Sequence, residues 1–133
     1  MRNSKKITMN EGVIDTFAWI EYFLGSKRGE KVKEFIESNN AITPTIVIAE
    51  LSARYSKDGD FAGKSRYIGF NTKIAVLNNE IAELAGKIKT EQRKKKKRFG
   101  IVDSIIYATA LTLNAKVVTG DPHFSDIKEA VMI

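Results

Sequence analysis

Cysteine is absent from this chain of 133 residues, and histidine and tryptophan occur once each. The lack of cysteine excludes disulfide bonds, thiolate metal sites and a cysteine nucleophile, and it is consistent with a reducing cytoplasm. His123 is the only imidazole, so zinc sites built on two or more histidines and catalysis by paired histidines are excluded as well. Any bound metal ion must therefore be held mainly by oxygen ligands.

Long hydrophobic runs are also lacking. Apolar runs such as Ile46–Ala49 are far shorter than the roughly 20 residues that a membrane-spanning helix needs. Residues 1–11 are polar and have no apolar segment of signal-peptide length. We therefore expect one soluble, cytoplasmic domain over residues 1–133, not bound to a membrane, in which residues 1–11 form a flexible polar leader.

Positive charge is concentrated in one segment. The net charge is +6, and Arg93–Arg98 supplies six consecutive basic residues, so the rest of the chain is neutral. A basic patch on a neutral domain favours a polyanionic partner such as nucleic acid. The alternative interpretation is a frayed helix end whose side chains are only solvated.

Hydrophobic periodicity indicates short strands that alternate with helices. Strands are predicted at 12–15, 41–44, 72–77 and 115–121, with helices between them. This alternation predicts an α/β fold in which helices cover both faces of a parallel sheet.

Several residues mark where these helices begin and end. Gly25 is expected to end the first helix, and Asn78 to cap the helix that runs toward the basic segment. Thr43 and Pro44 are interpreted as the cap and the first position of the helix that carries Glu50. Residues 57–71 are the least regular part of the chain, and a loop with a short helix is expected there.

Four carboxylates are candidates for one site. Ligands of open parallel sheets bind beyond the carboxyl ends of the strands, where Asp15 ends the first predicted strand and Asp121 closes the last, one glycine after the apolar residues VVT. Asp103 begins an apolar helix, and Glu50 lies among apolar neighbours in another. Because four converging carboxylates repel one another, a hard divalent cation such as Mg²⁺ or Mn²⁺ is the expected occupant.

Each acid taken singly has an ordinary structural alternative. Asp15 and Asp103 could be helix caps, Glu50 could face solvent, and Asp121 could be a turn residue. Asp126, five residues after Asp121, is retained as a possible outer ligand. The site hypothesis therefore depends on whether these side chains meet in space.

Four short motifs resemble those of the PIN-domain ribonucleases, and the VapC toxins of toxin–antitoxin pairs are the most similar group. The motifs are VIDT (13–16), AEL with Glu50, VDSIIYATA (102–110) and TGDPHF (119–124), in the family's order. Departures from the family pattern are the longer polar leader and Pro122 after the fourth acid, and neither affects an expected ligand.

The resemblance implies a PIN-like, flavodoxin- or Rossmann-like three-layer sandwich with about four to five parallel strands. It also implies a Mg²⁺- or Mn²⁺-dependent endoribonuclease whose catalytic acids and metal ligands are Asp15, Glu50, Asp103 and Asp121. Thr16 and Thr119 match hydroxyl positions beside the metal, although Thr16 could instead be a helix cap and Thr119 an ordinary strand-end residue. Expected partners are RNA, a VapB-type antitoxin and a second copy of the chain.

The resemblance to ribonucleases suggests a specific role for the basic segment. An acidic pocket repels an RNA backbone, so cations placed beside it are needed to attract the substrate. We expect an RNA-binding clamp made of Arg93, Lys94, Lys95, Lys96, Lys97 and Arg98.

Aromatic residues and the single histidine are assigned no catalytic role. His123 follows a proline in a turn and is expected to lie at the surface or to pack, with a general base as the alternative. Trp19 and Tyr22 are expected to belong to the core or to a protein contact, with base stacking as the alternative. The segment 16–23 that contains them is the candidate for an interface.

Three other functions are compatible with parts of this pattern. A PIN-domain nuclease that processes RNA without an antitoxin would use the same acids. A receiver-like signalling domain also has an acid-lined Mg²⁺ site, but it has adjacent acids after the first strand, whereas Asp15 stands alone. A non-catalytic RNA-binding protein would not need all four acids.

Overall fold

The computed structural model describes residues 11–133, apart from the side chain of Asp58. The predicted leader therefore lies outside the described residues, except for Glu11. The strands are β1 (Gly12–Ile14), β2 (Ala41–Pro44), β3 (Lys73–Ala75), β4 (Lys116–Thr119) and β5 (Ala130–Met132). The helices are α1 (Thr16–Leu24), α2 (Gly29–Glu37), α3 (Thr45–Tyr55), α4 (Phe61–Asn71), α5 (Asn79–Arg93) and α6 (Ile101–Thr112).

All five strands form one parallel sheet with the order β3-β2-β1-β4-β5. The central strand β1 is fully buried, and its Val13 lies opposite Ile42 of β2 and Val117 of β4. Because the strands are parallel, their carboxyl ends meet along one edge of the sheet. The predicted α/β three-layer arrangement is confirmed.

Helix α1 begins and ends where its local chemistry requires. The Asp15 side chain accepts a hydrogen bond of 2.8 Å from the Ala18 amide, and Gly25 ends the helix with φ of 70°, as predicted. The helix packs on α2 and buries Trp19 completely. Trp19 is therefore a core residue, as expected.

Helices α5 and α6 form the most extensive helix pair in the described chain. The Asn78 side chain caps α5 by accepting a hydrogen bond of 2.9 Å from the Ile81 amide, as predicted. Six successive or near-successive residues of α6 are buried, namely Ser104, Ile105, Ile106, Ala108, Thr109 and Ala110. This burial fixes the direction of α6 and therefore the position of Asp103 in its first turn.

The predicted start of α3 was wrong. Thr43 and Pro44 belong to β2, and the helix begins at Thr45. Thr43 is buried, and its hydroxyl accepts a hydrogen bond of 3.2 Å from the Trp19 indole nitrogen and bonds to the Thr72 hydroxyl. These tertiary contacts hold Thr43 in the sheet, so a local capping signal is overridden.

Two further elements differ from the sequence prediction. Residues 61–71 form an 11-residue helix rather than a loop with a short helix, because Ile68 is buried and Phe61 and Tyr67 pack against the core. The C-terminal residues add β5, which pairs with β4 at the sheet edge and was not predicted. Within residues 11–133, every helix is too short or too polar to cross a lipid bilayer.

Candidate metal and nucleic-acid site

A cavity of about 510 Å³ lies at the carboxyl ends of β1 and β4. All four acids proposed from the sequence line this cavity, and they come from four separate segments of the chain. The residues that line it are Asp15, Thr16, Phe17, Glu50, Arg98, Gly100, Ile101, Val102, Asp103, Ile106, Gly120, Asp121 and Pro122.

The Asp15 side chain caps a helix and is also placed where it could bind a metal ion. It caps α1, as the ordinary interpretation proposed, yet it also lines the cavity. Only 5% of the residue is exposed, and this burial raises the pKa of Asp15 to about 7, with a further rise from the nearby Asp121 and Asp103 charges. Hydrogen bonds from Thr119 and from the Ala18 amide lower the pKa and only partly offset the burial.

Asp103 lies in the first turn of α6, three residues after the cap residue Gly100. Its Oδ2 is 3.5 Å from the Gly100 amide nitrogen, so the start of the helix orients the carboxylate. Burial raises the pKa of Asp103, and the Asp121 and Glu50 charges raise it further, while the Gly100 amide and His123 lower it. The mutual repulsion inferred from the sequence is therefore present in the cavity.

Asp121 is held by a tight turn immediately after β4. Its Oδ1 accepts a hydrogen bond of 2.9 Å from the His123 amide, and its own amide donates to the Thr119 hydroxyl at 2.9 Å. Thr119 is buried and also hydrogen-bonds Asp15. Asp121 is thus a turn residue and a cavity residue together, and Thr119 connects it to Asp15.

Glu50 is fixed by Thr16 across the cavity. The Thr16 hydroxyl donates a hydrogen bond to Glu50 Oε1. Thr16 is the first residue of α1 and not its cap, because Asp15 occupies the cap position. Glu50 is half-buried, so it does not simply face solvent.

His123 lies much closer to the acids than its assigned surface role suggested. Its Nδ1 is 3.2 Å from Asp121 Oδ1, and one ligand atom each from Asp103, Asp121 and His123 lie within 4.8 Å of one another. Sequence reasoning missed this proximity. The signal was the two-residue spacing from Asp121, since an Asp that bonds the amide two residues later brings that residue back toward its carboxylate.

The donor set fits a divalent cation. Asp103, Asp121 and His123 are close enough to share one ion, and Asp15 and Glu50 supply further carboxylates on the same cavity. Among the described residues, no lysine or arginine lies within 4.0 Å of the carboxylate oxygens of Asp15, Glu50 or Asp103. Oxygen donors with one imidazole suit Mn²⁺, and Mg²⁺ would rely on the carboxylates alone.

Asp126 does not join this group. It is absent from the cavity lining, and its carboxylate pairs with the Lys96 ammonium. That ion pair lowers the pKa of Asp126. The expectation of an outer metal ligand at this position is therefore not supported by its location.

The basic segment is divided among different environments. Arg98 lines the cavity, and Lys94 forms an exposed pair of 3.1 Å with Glu91. Lys96 is engaged by the turn that carries His123, whereas Arg93, Lys95 and Lys97 are exposed. The predicted run therefore contains one cavity residue, one residue engaged within the fold and several solvated cations.

Close packing shapes the cavity beside Asp15. A Cβ atom at Gly120 would lie 2.2 Å from Phe17 Cε1, so any larger residue there would require the Phe17 ring to move. The Arg28 guanidinium carbon lies 4.9 Å from the centroid of the same Phe17 ring. Phe17 is thus a cavity aromatic that sequence reasoning placed only in a general interface segment.

Tyr22, the other aromatic residue considered for base stacking, bonds the Tyr67 hydroxyl and lies away from the cavity lining.

Comparison with known families identifies a match over nearly all of the described chain. A sequence model of the PIN domain matches residues 12–130. A comparison with curated protein sequences gave no significant match.

Similar solved structures share the fold at low sequence identity. A chain of a toxin–antitoxin complex from Klebsiella pneumoniae has 20% identity and a TM-score of 0.76, over 92% of this chain and 97% of that chain. A chain of DNA-bound VapBC from Salmonella typhimurium has 19% identity and a TM-score of 0.74, over 94% and 98%. A chain of VapBC2 from Rickettsia felis, bound to a promoter DNA fragment, has 20% identity and a TM-score of 0.72, over 92% and 96%.

Proposed function

The chain belongs to the PIN domain family, and we propose that it is a metal-dependent endoribonuclease that acts as the toxin of a VapC-type toxin–antitoxin pair. One observation carries the nuclease proposal. Four carboxylates from separate segments line one cavity, and Arg98 lines the same cavity. Oxygen donors can hold a divalent cation that activates water, and a guanidinium can bind a phosphate oxygen, so the two together favour phosphodiester hydrolysis.

Asp15, Asp103 and Asp121 are the proposed principal ligands of Mg²⁺ or Mn²⁺, with Glu50 holding a water molecule or a second ion. When bound, the cation lowers the pKa of a coordinated water and offsets negative charge at the phosphate. The chain itself contributes the position of each ligand. Asp15 is set by the start of α1, Asp103 by the start of α6, and Asp121 by the turn after β4.

In the proposed reaction, water adds to phosphorus and the bond from phosphorus to the 3′ oxygen breaks. The products carry a 5′-phosphate and a 3′-hydroxyl, and the proton lost by the water is balanced by the proton gained at the 3′ oxygen. Glu50 is restrained by the Thr16 hydroxyl, so it can accept a hydrogen bond from the attacking water in a fixed orientation. Arg98 is placed to bind a phosphate oxygen.

Four exposed cations of the segment Arg93–Arg98 are proposed to bind the RNA phosphates that flank the cleaved bond. Arg98 would contact the phosphate nearest the cavity, and the exposed Arg93, Lys95 and Lys97 would supply salt-sensitive attraction. Replacing those four residues by methionine should weaken RNA binding and reduce its dependence on salt. Unchanged affinity and salt dependence would reject the clamp.

A VapB-type antitoxin and a second copy of the chain are the proposed protein partners, in the cytoplasm. Support for the antitoxin comes from the similar structures, which are described as a toxin–antitoxin complex and as VapBC assemblies. Expression of the chain alone should arrest bacterial growth, and co-expression of the adjacent gene should relieve the arrest. Sedimentation equilibrium at micromolar concentration tests the homodimer, and a monomer there would contradict it.

Cleavage of a mixed pool of transfer and ribosomal RNAs tests the activity. The purified protein should cut with Mg²⁺ or Mn²⁺ and not with chelator, and Asp103→Asn should remove the cutting. Glu83→Gln, which neutralises an exposed acid of α5 outside the cavity lining, is the matched control and should cut like the parent. Equal cutting by the parent and Asp103→Asn would indicate a contaminating nuclease and contradict the proposal.

A further inference from the structure

Lys96 differs from its neighbours in the basic segment because its charge is used inside the fold. Only 15% of its side chain is exposed. Its ammonium donates to the His123 carbonyl at 2.7 Å and pairs with the Asp126 carboxylate. It also lies 5.4 Å from the centroid of the Phe99 ring. Two of the three N–H donors of this ammonium are therefore used within the fold.

The two segments that Lys96 joins carry two acids of the cavity. Residues 94–100 lead directly into α6, whose first turn carries Asp103. Residues 121–126 form the turn in which Asp121 is held by the His123 amide. The Lys96 ammonium therefore bridges the segment before Asp103 and the turn after Asp121.

Two buried aromatic rings pack beneath the Lys96 bridge. Phe99 and Phe124 are fully buried, and their ring centroids are 5.3 Å apart. Phe124 also bonds through its amide to the Asp121 carbonyl at 3.0 Å. The Lys96 bridge therefore packs on an apolar layer. Of its partners Phe99, His123 and Asp126, only Asp126 is exposed, so the position of the ammonium is restrained mainly by buried or half-buried groups.

We propose that Lys96 is a positioning residue that fixes Asp121 relative to Asp103, so that it controls metal affinity without contacting metal or RNA. The proposal rests on the proposed function, because it assumes that these two carboxylates bind the cation. It assigns to Lys96 a role different from that of the exposed cations on either side. Groups that orient metal ligands from outside typically change affinity by about 10–100-fold when removed.

The direction of the change in Mn²⁺ affinity distinguishes a positioning role of Lys96 from a purely electrostatic effect. Lys96→Met removes a positive charge near the cavity, so electrostatics alone would make a cation bind more tightly. Loss of positioning predicts the opposite, because the His123 carbonyl loses its donor and the turn that carries Asp121 loosens. We expect Lys96→Met to bind Mn²⁺ about 10-fold more weakly in titration calorimetry, at the lower end of the range for such groups.

Lys97→Met is the matched control, since it makes the same charge change at the next, exposed position. It should bind Mn²⁺ within about two-fold of the parent and instead raise the KM for RNA, with the salt slope reduced by about 0.7. Lys96→Met should lower kcat at limiting Mn²⁺ and regain it at saturating Mn²⁺. Lys96→Arg keeps the charge and the donors and should recover most of the affinity. Mn²⁺ binding by Lys96→Met as tight as by Lys97→Met would overturn the proposal.

Asp126→Asn keeps the test decisive if Lys96→Met does not fold. Asp126 is exposed, so its replacement leaves the core unchanged while it weakens the bridge. The measurement is made in 0.5 M salt, where the screening length is about 4 Å and long-range charge effects are suppressed. A loss of Mn²⁺ affinity of at least three-fold is expected, and unchanged affinity would count against the bridge.

Hydrogen exchange distinguishes failure of this inference from failure of the proposed function. In metal-free protein, the amides of His123 and Phe124 should exchange faster in Lys96→Met, or in Asp126→Asn, than in Lys97→Met. If the parent binds no Mn²⁺ but these amides respond, the bridge exists and the metal-site proposal is wrong. If the parent binds Mn²⁺ and neither affinity nor exchange responds, the positioning role is wrong.

Discussion

In the acidic cavity, the Asp15 carboxylate accepts a backbone hydrogen bond and is almost completely buried, whereas five of the six residues of Arg93–Arg98 are exposed. Asp15 and Asp103 are placed by the starts of helices, Asp121 by a tight turn, and Glu50 by the Thr16 hydroxyl. The exposed cations have no comparable restraint among the described residues. Negative charge is therefore positioned by folding here, and most of the positive charge would be ordered only by a partner.

The largest expected effect comes from removing the most buried acid. Asp15→Asn keeps an oxygen that can cap α1 but removes a proposed ligand. RNA cleavage should fall more than about 100-fold, beyond the range for groups that act on a metal only indirectly. Thermal unfolding of the metal-free variant should occur at or above the parent temperature, because a destabilising buried charge is lost. A variant that still cleaves at the parent rate would remove Asp15 from the site.

Paired glycine substitutions compare the packing of the backbone after β4 with that of the backbone after the basic segment. Gly120→Ala places a methyl group 2.2 Å from Phe17 Cε1, whereas a methyl group at Gly100, after the basic segment, meets nothing within 4 Å. Urea unfolding should show a loss of about 1–3 kcal/mol for Gly120→Ala, typical of an overpacked core. The corresponding loss for Gly100→Ala should stay below about 1 kcal/mol. Equal losses would show that the backbone at Gly120 is no more closely packed than the backbone at Gly100.

Proton competition provides a test that affects only the acidic region. The pKa of Asp15 is raised from 3.8 to about 7, so a cation must displace a proton below that pH. Mn²⁺ affinity measured by calorimetry should rise about 10-fold from pH 6 to pH 8, since one site with this pKa is mostly protonated at the lower pH and mostly ionised at the higher. Asp15→Asn should remove the part of this dependence that belongs to Asp15.

The same shift has a defined consequence for stability. Because the folded-state pKa of Asp15 lies above its unfolded value, the native state binds the proton more tightly. The contribution of Asp15 to the stability of the metal-free protein is therefore complete below pH 3.8 and declines as the pH rises to about 7. The difference in unfolding free energy between the parent and Asp15→Asn, measured across this range, isolates that contribution. A difference that grows in favour of the parent with rising pH would contradict it.

The smallest effect is expected within the basic segment itself. Arg98→Met should reduce kcat/KM for RNA about five-fold, less than a buried charge-assisted hydrogen bond provides, because the side chain is exposed. Arg93→Met, at the end of α5, should change it less than two-fold and act on KM alone. The pair tests whether one cation of the run is specifically placed. Equal effects would support the interpretation of the whole run as diffuse attraction.

Sequence reasoning placed the acids well because their positions depend on local rules. Asp15 follows buried strand β1, Asp103 begins an apolar helix, and Asp121 comes after buried strand β4, so the parallel sheet brings them to one edge. Each ordinary explanation that competed with a site was also partly correct. Asp15 does cap a helix and Asp121 does form a turn, which means that one side chain performs both tasks.

The features that were missed depend on contacts between distant segments. Thr43 was assigned to a helix cap because the sequence does not show that Trp19 and Thr72 bond its hydroxyl. Lys96 cannot be distinguished from Lys95 or Lys97 by sequence, since only the folded turn after β4 supplies its partners. Edge strand β5 has three residues and a weak pattern, so its pairing with β4 was not foreseen.

The order of the strands in the sheet has a consequence for synthesis of the chain. Strand β1 is made before both of its neighbours, and one of them, β4, follows it by more than 100 residues. Loop closure over such a distance is slow, and it cannot begin until β4 has left the ribosome. Asp15 and Asp121 therefore meet only after β4 has been made. A ribosome that has not yet translated β4 carries no assembled acidic cavity, and an unfinished fragment that ends before β4 has none to release.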